Sequence, residues 1–265
     1  TLNAASGEYI LMMGDDDYLL PGSLTRLDRA LEQHGNPSCV LFNGYSYVAP
    51  NSISGSETGY WSPSHFNFGP DFASEAIMNR EQRMSIVSDM FRFQQRIPLN
   101  MQTALFSRKT AMAVRGGAFQ APFPDHYLLA VMLIDADAWL YLPERLVIVG
   151  VSPKSFGHYF YSQSSSDGLA YLGIDTKFPG SLPANELLNG MYQWLLRLKQ
   201  SHAASLRGTS IDHPAYVVRQ VYFWLIQARY RHIGGRDLLC RLKLLSLADW
   251  LAFIRGAIRP EYAFR

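Results

Sequence analysis

Apolar positions in the first fifty residues fall into three blocks with different periods. Tyr9-Ile10-Leu11-Met12-Met13 is a continuous apolar run, long enough for a buried strand and too short for a helix. Leu20, Leu24, Leu27 and Leu31 then recur at helical spacing until Gly35, and Pro21 suits a first helical turn. Ser38 to Val48, with Cys39-Val40-Leu41-Phe42 at its start, reads as the next strand. Residues 49–70 have no period. They mix Ser, Gly, Pro and Asn with Tyr60, Trp61, His65, Phe66 and Phe68, which predicts a long loop. Ile77, Met84, Val87 and Phe91 share one helical face and predict a helix over Asp71–Gln95, with Arg80, Glu81 and Arg83 on its solvated side.

The middle of the chain repeats the alternation. Met101 to Phe106 reads as a strand, followed by a helix ending near Arg115-Gly116-Gly117. Leu128, Leu129, Met132, Leu133 and Ala136 form the apolar face of a helix opening at Pro124-Asp125. Trp139–Leu142 and Arg145–Val149 read as two short strands around Pro143-Glu144. Residues 162–184 are rich in Ser, Gly and Pro, including Ser164-Ser165-Ser166-Asp167-Gly168, and read as a plain linker or as a lid over a bound ligand. Beyond them Leu187, Met191, Leu195 and Leu198 mark an amphipathic helix, and Tyr216–Tyr230 is strongly apolar and aromatic. The tail from Arg229 mixes arginines with Leu244, Leu245, Leu247, Trp250, Leu251, Phe253 and Ile254. The expected organisation is an α/β domain over 1–161, a connector over 162–184 and a helical extension over 185–265.

Composition narrows the function classes. A chain of 265 residues with 48% hydrophobic content can bury a full core, and a net charge of +2 offers no reason to expect nucleic acid. Cys39 and Cys240 are the only cysteines, so no disulfide framework or thiolate metal site is expected, and a cytoplasmic location is the default. No apolar run reaches the length of a membrane span. The basic amphipathic tail admits two readings: packing on the parent domain, or peripheral contact at the inner face of the cell membrane.

The chemistry concentrates at Asp15-Asp16-Asp17, where the first strand ends and the first helix begins. Three adjacent carboxylates repel one another, and a hard divalent cation is the usual compensation. The competing reading is a solvated acidic turn in which Asp17 caps the helix. A calcium loop is excluded by Leu19 and Leu20 at positions needing a ligand and a glycine. Asp125 likewise stands at a helix N-terminus, where the dipole favours its ionised form: it is either a proton acceptor or a cap. The histidines at 34, 65, 202, 213 and 232 show no metal-ligand spacing, so zinc is not expected.

Gly7-Glu8-Tyr9-Ile10, followed by Asp15-Asp16-Asp17-Tyr18-Leu19 and Pro21-Gly22, resembles the central motif of family 2 glycosyltransferases of GT-A fold. The resemblance implies a partial GT-A (Rossmann-like) nucleotide-diphospho-sugar transferase sheet with helices, followed by the helical extension. In that family the acidic motif holds Mn²⁺ or Mg²⁺ on the diphosphate of a nucleotide-sugar donor. Alignment with family members makes Asp16 the first choice as metal ligand and Asp15 the next, close to the ribose or sugar; a strict Asp-x-Asp pattern selects Asp15 and Asp17 instead. Gly116-Gly117-Ala118-Phe119 and then Pro124-Asp125 resemble the segment that carries the catalytic base of inverting members, which points to Asp125, although Pro124 replaces the family's glutamate. His158, past the last core strand, is placed as a further metal ligand, and Lys154 and Ser155 as donor-phosphate contacts. Trp61, Asn100, Gln102 and His126 are candidate acceptor contacts, with Thr103 beside Gln102. The family carries nucleotide-binding units ahead of this motif, so a chain starting at Thr1 implies N-terminal truncation. The expected activity is transfer of a sugar to a glycan or lipid-linked acceptor in surface polysaccharide assembly. A non-catalytic glycan- or nucleotide-binding relative and a nucleotidyltransferase stay open beside it.

Overall fold

The structure is a computed structural model that describes residues 2–52, 57–64, 73–94, 101–153, 155, 178–183, 186–229 and 231–258. Asn100, Lys154, His158, the aromatics at 65–68 and the Ser/Gly run at 164–168 lie outside the described residues. The chain divides into two compact units, Thr1–Val87 with Arg96–Ser162 and Ser88–Gln95 with Gln163–Arg265.

The first unit is mixed α/β, built on a curled sheet of seven strands: β1 Tyr9–Leu11, β2 Tyr18–Leu19, β3 Cys39–Val48, β4 Tyr60–Ser64, β5 Ala76–Met78, β6 Ala104–Ser107 and β7 Trp139–Val151. Their order is β1-β6-β3-β7-β2, with β4 added to β3 and β5 to β7. β6 is antiparallel to both β1 and β3, and β3 is parallel to β7, so β1, β3 and β7 all point the same way. The helices are α1 Ser23–Gln33, α2 Arg80–Phe91, which ends in the second unit, α3 Arg108–Met112 and α4 Pro124–Asp135.

α1 begins two residues later than Pro21 suggests, because Gly22 takes the left-handed N-cap conformation (φ 84°) and leaves Pro21 in the preceding turn. Its buried face is Ser23, Leu27, Ala30 and Leu31, while Leu24 points outward. Leu27, Ala30 and Leu31 pack on Val40 and Phe42 of β3, Leu105 of β6 and Leu140, Leu142, Leu146 and Val147 of β7. Fully burying each such aliphatic side chain contributes roughly 1.5–3 kcal/mol.

Several elements depart from the sequence reading, among them Met101–Thr103, a 3-10 turn rather than the first half of a strand. The aperiodic stretch after β3 contains β4, an edge strand that tolerates Pro63 because only one of its sides is paired. The predicted helix over 71–95 opens with the short strand β5 and starts only at Arg80, where Asn79 and Gln82 cap each other reciprocally at 2.9 Å. Arg83 is not solvated. It is 5% exposed and donates through Nη1 to the carbonyls of Leu133 (3.2 Å) and Ala136, the orphan acceptors at the end of α4. The two predicted strands around Pro143 are one, β7. Two register shifts at Asn43 absorb the break, and Asn43 Nδ2 donates to Pro143 O at 2.8 Å.

In the second unit, α5 Glu186–Ser201, α6 His213–Arg229, α7 Gly235–Leu242 and α8 Leu247–Ala257 follow in order. Met191, Trp194, Leu195 and Leu198 of α5 and Tyr216, Val217, Val221 and Trp224 of α6 are buried. Several polar groups among them are paired: Tyr216 OH donates to Asn189 Oδ1 (2.6 Å), Gln220 Nε2 to the same oxygen (2.8 Å), and Trp224 Nε1 to Pro183 O (2.6 Å), whereas Trp194 Nε1 is buried without a partner. α8 lies on α6 at Gly256, where an added Cβ would stand 2.5 Å from Val218 Cγ2. Among the described residues no helix is long and apolar enough to cross a membrane.

Candidate functional site

The acidic turn connects β1 to β2, which lie at opposite ends of the sheet order, so six residues must cross the sheet. Met13 reaches back to the core under α1, and Leu20 N donates to Leu146 O at 3.0 Å. Between these anchors the three aspartates differ sharply. Asp17 is 8% exposed and works as a clamp: Gly14 N donates to its Oδ2 at 2.6 Å and Gly150 N, on β7, to its Oδ1 at 3.0 Å. It does not cap α1, whose N-cap is Gly22 without any side-chain cap. Asp15 is exposed. Asp16 is half-buried, and its Oδ2 is shut off from solvent without a hydrogen-bond partner.

Gly150 is the other half of this arrangement. An added Cβ there would stand 2.1 Å from the Asp16 carbonyl oxygen, so only glycine lets the turn lie against β7. Tyr47 is opposite Gly150 in the β3–β7 ladder and Trp61 is opposite Tyr47 in the β3–β4 ladder. Directly opposed residues project from one face, so both rings stand on the face where Asp16 covers Gly150. With strands about 4.8 Å apart, Trp61 is about 10 Å across the sheet from Gly150. The two rings pack with centroids 4.5 Å apart, and Trp61 stays 57% exposed.

Asp125 occupies the second position of α4, behind a left-handed Phe123 N-cap (φ 55°) that offers no side-chain cap. The capping alternative for Asp125 therefore does not apply. Only Ala136–Ala138 separate α4 from β7, and Trp139 Nε1 donates back to Met132 O (2.9 Å). His126 stacks on Phe123 (centroids 5.6 Å), and its Nε2 lies 3.8 Å from Asp125 Oδ2, close but beyond hydrogen-bond range. His126 Nδ1 is buried without a partner. So is Oε1 of Gln102, in the 3-10 turn Met101–Thr103 that packs on α4 and leads into β6 beside the end of β1. Ser155 is committed locally: its hydroxyl donates to Ser152 O (2.9 Å) and accepts from Ser152 N (3.1 Å). Gln120 Nε2 likewise closes the glycine turn on Arg115 O and Gly117 O, both at 3.1 Å.

The structure thus brings Asp15, Asp16, Asp17 and Trp61 to one stretch of β7 and its neighbours; Asp125 and His126 stand in the first turn of α4, the helix on which the turn carrying Gln102 packs. Tyr47 and Gly150 were missed from the sequence. The signal for Gly150 was a lone glycine in the β-branched run Val147-Ile148-Val149-Gly150-Val151, which marks a close backbone approach. The second unit holds a separate cavity of about 420 Å³ lined by Ser88, Phe91, Arg92, Thr209, Ser210 and Asp212.

Among the described residues no three His, Cys, Asp or Glu side chains converge as a ligand set. A Mg²⁺-type cation held by one or two carboxylates and completed by substrate phosphates needs no such set. The buried, unpartnered Asp16 Oδ2 next to exposed Asp15 fits a cation of that kind. No protein-family profile matches the chain, and no curated protein matches it.

Proposed function

We propose that the chain carries the metal-binding and acceptor-side residues of a GT-A-type inverting glycosyltransferase, acting on a nucleotide-sugar donor and a glycan or lipid-linked acceptor. The observation that carries this reading is the Asp16 carboxylate, whose buried Oδ2 has no hydrogen-bond partner, in a turn that Asp17 and Gly150 hold against β7. The mixed sheet, with β1, β3 and β7 running the same way and the turn beyond the end of β1, is compatible with such a fold. Asp16 and Asp15 are the residues to hold Mn²⁺ or Mg²⁺. When bound, the cation offsets charge on the leaving nucleoside diphosphate.

The remaining work falls to side chains of this chain. Tyr47 and Trp61 offer flat apolar faces to the C–H side of a sugar ring, and Gln102 and His126 supply hydrogen bonds to its hydroxyls. Asp125 accepts the acceptor hydroxyl's proton as that oxygen bonds to the anomeric carbon and the bond to the diphosphate breaks.

The test is nucleoside diphosphate release by the full-length protein from a panel of nucleotide-sugars, with and without Mn²⁺. Asp125→Asn is expected to lower transfer by about 10²–10⁴-fold while donor binding persists. Asp16→Ala is expected to abolish the metal dependence of donor binding. Full transfer by Asp125→Asn would remove the base assignment. Metal-dependent binding of nucleotide-sugar without turnover on any acceptor would favour the non-catalytic reading instead.

A further inference from the structure

α8 has two sides of different character. Ala252 and Gly256 are buried on α6, and the opposite side carries Leu247, Trp250, Leu251, Ile254 and Ile258, all between 38% and 78% exposed. Their spacing of three and four residues makes one continuous apolar stripe about 100° wide. A soluble helix normally turns such a stripe inward; here the small residues are inside and the large ones face out. The outward face of α7 continues the theme, with Arg236, Leu239 and Lys243 at helical spacing, all exposed, followed by Leu244 at 59% exposure.

Charge identifies what covers this surface. From Arg229 to Ile258 there are six basic residues (Arg229, Arg231, Arg236, Arg241, Lys243, Arg255) and two acidic ones (Asp237, Asp249). Both aspartates are spent on helix caps: Asp237 Oδ2 accepts from Gly234 N, and Asp249 accepts from Ser246 and contacts His213 Nε2 at 2.8 Å. Arg241 is held by Gln227 Oε1 at 2.6 Å, which leaves five arginines and lysines exposed in this segment, Arg255 on α8 itself beside the apolar stripe. Two copies meeting through this face would bring like charges together. A bilayer with anionic headgroups answers both features at once: it takes up the apolar stripe at the acyl boundary and pairs with the flanking cations.

We propose that α7 and α8 form an interfacial anchor that lays the α8 stripe into an anionic lipid surface, with Trp250 at headgroup depth and Lys243 and Arg255 reaching phosphates. This does not depend on the glycosyl-transfer reading. The full chain is expected to co-sediment with vesicles of phosphatidylcholine mixed with phosphatidylglycerol, and poorly with phosphatidylcholine alone. Leu251→Gln/Ile254→Gln is expected to weaken binding about tenfold or more at unchanged melting temperature, since both side chains are solvent-facing. Lys243→Glu/Arg255→Glu, with the stripe intact, is expected to erase the preference for anionic vesicles. Failure of the native chain to bind anionic vesicles, or equal binding by the Gln/Gln variant, would overturn the proposal. So would a native dimer that the same Gln/Gln variant dissociates, because a second copy would then be the occupant.

Discussion

Two charged clusters in the first unit are organised on opposite principles. Around α1, Arg26 Nη2 meets Glu75 at 2.5 Å and Glu144 at 2.7 Å, and Glu75 in turn meets His34 Nε2 at 2.6 Å. Individual atoms there also lack hydrogen bonds, Arg26 Nη1 and Glu144 Oε2 among them, yet every ion has an opposite charge beside it. In the acidic turn the opposite holds. Asp17 is satisfied by two backbone N–H groups, but no cation answers Asp15 or Asp16 among the described ion pairs. A cluster that serves the fold is neutralised from within; in the proposed function, the charge left over at the acidic turn is what a bound cation would meet. An unpartnered atom alone does not make that distinction, whereas the charge balance does.

The contrast can be broken at four points. Gly150→Ala should have the largest effect, about 3 kcal/mol of lost stability in urea denaturation, because the obstructing atom is the Asp16 backbone rather than a movable side chain. A loss within about 0.5 kcal/mol would mean that the turn is not seated on β7 as described. Asp17→Ala should cost about 2 kcal/mol by removing both acceptors of the clamp. Arg26→Met should cost about 1 kcal/mol, a modest figure because the side chains around it are partly solvated. That deficit is pH-dependent. Burial works to raise the Glu75 carboxyl, but its bonds to His34 and Arg26 prevail and hold it below its usual 4.5. A depressed carboxyl contributes stability above its unfolded value and loses it as pH falls through the folded one. The gap between native protein and Arg26→Met should therefore narrow on acidification below about pH 4.5, and a constant gap down to pH 2 would count against the ion pair. Asp16→Asn should show the smallest change and the opposite sign, a gain of about 0.5 kcal/mol or less from relieved repulsion. Mn²⁺ titration of the same variant should show lost binding, whereas Arg26→Met should bind as the native chain does.

What the sequence revealed follows the range of the interaction concerned. β1, α1, β3 and α4 were legible because their apolar periods are local. The distinct roles of the three aspartates were not, since Asp17 is fixed by Gly150, 133 residues away. Arg83 looked like a surface charge because its partners, Leu133 and Ala136, are main-chain carbonyls that leave no trace in side-chain pattern. Pro143 signalled a break that is real at the level of hydrogen bonding, but Asn43 bridges it and the strand continues. β4 escaped because an edge strand with Ser62 and Pro63 has no alternation to read. At the candidate site the residue types were legible and their division of labour was not.

Gly256 decides more than a close contact. α8 could satisfy a simple hydrophobic-inside rule by rolling half a turn and hiding Trp250, Leu251 and Ile254. It is prevented from doing so because the side with no side chain is the one that fits against Val218 and Pro214. The smallest residue on the helix thus sets the orientation of the largest, and works as a key that admits one angular setting. Enlarging that position would change which surface the second unit presents, without altering any residue on the surface itself.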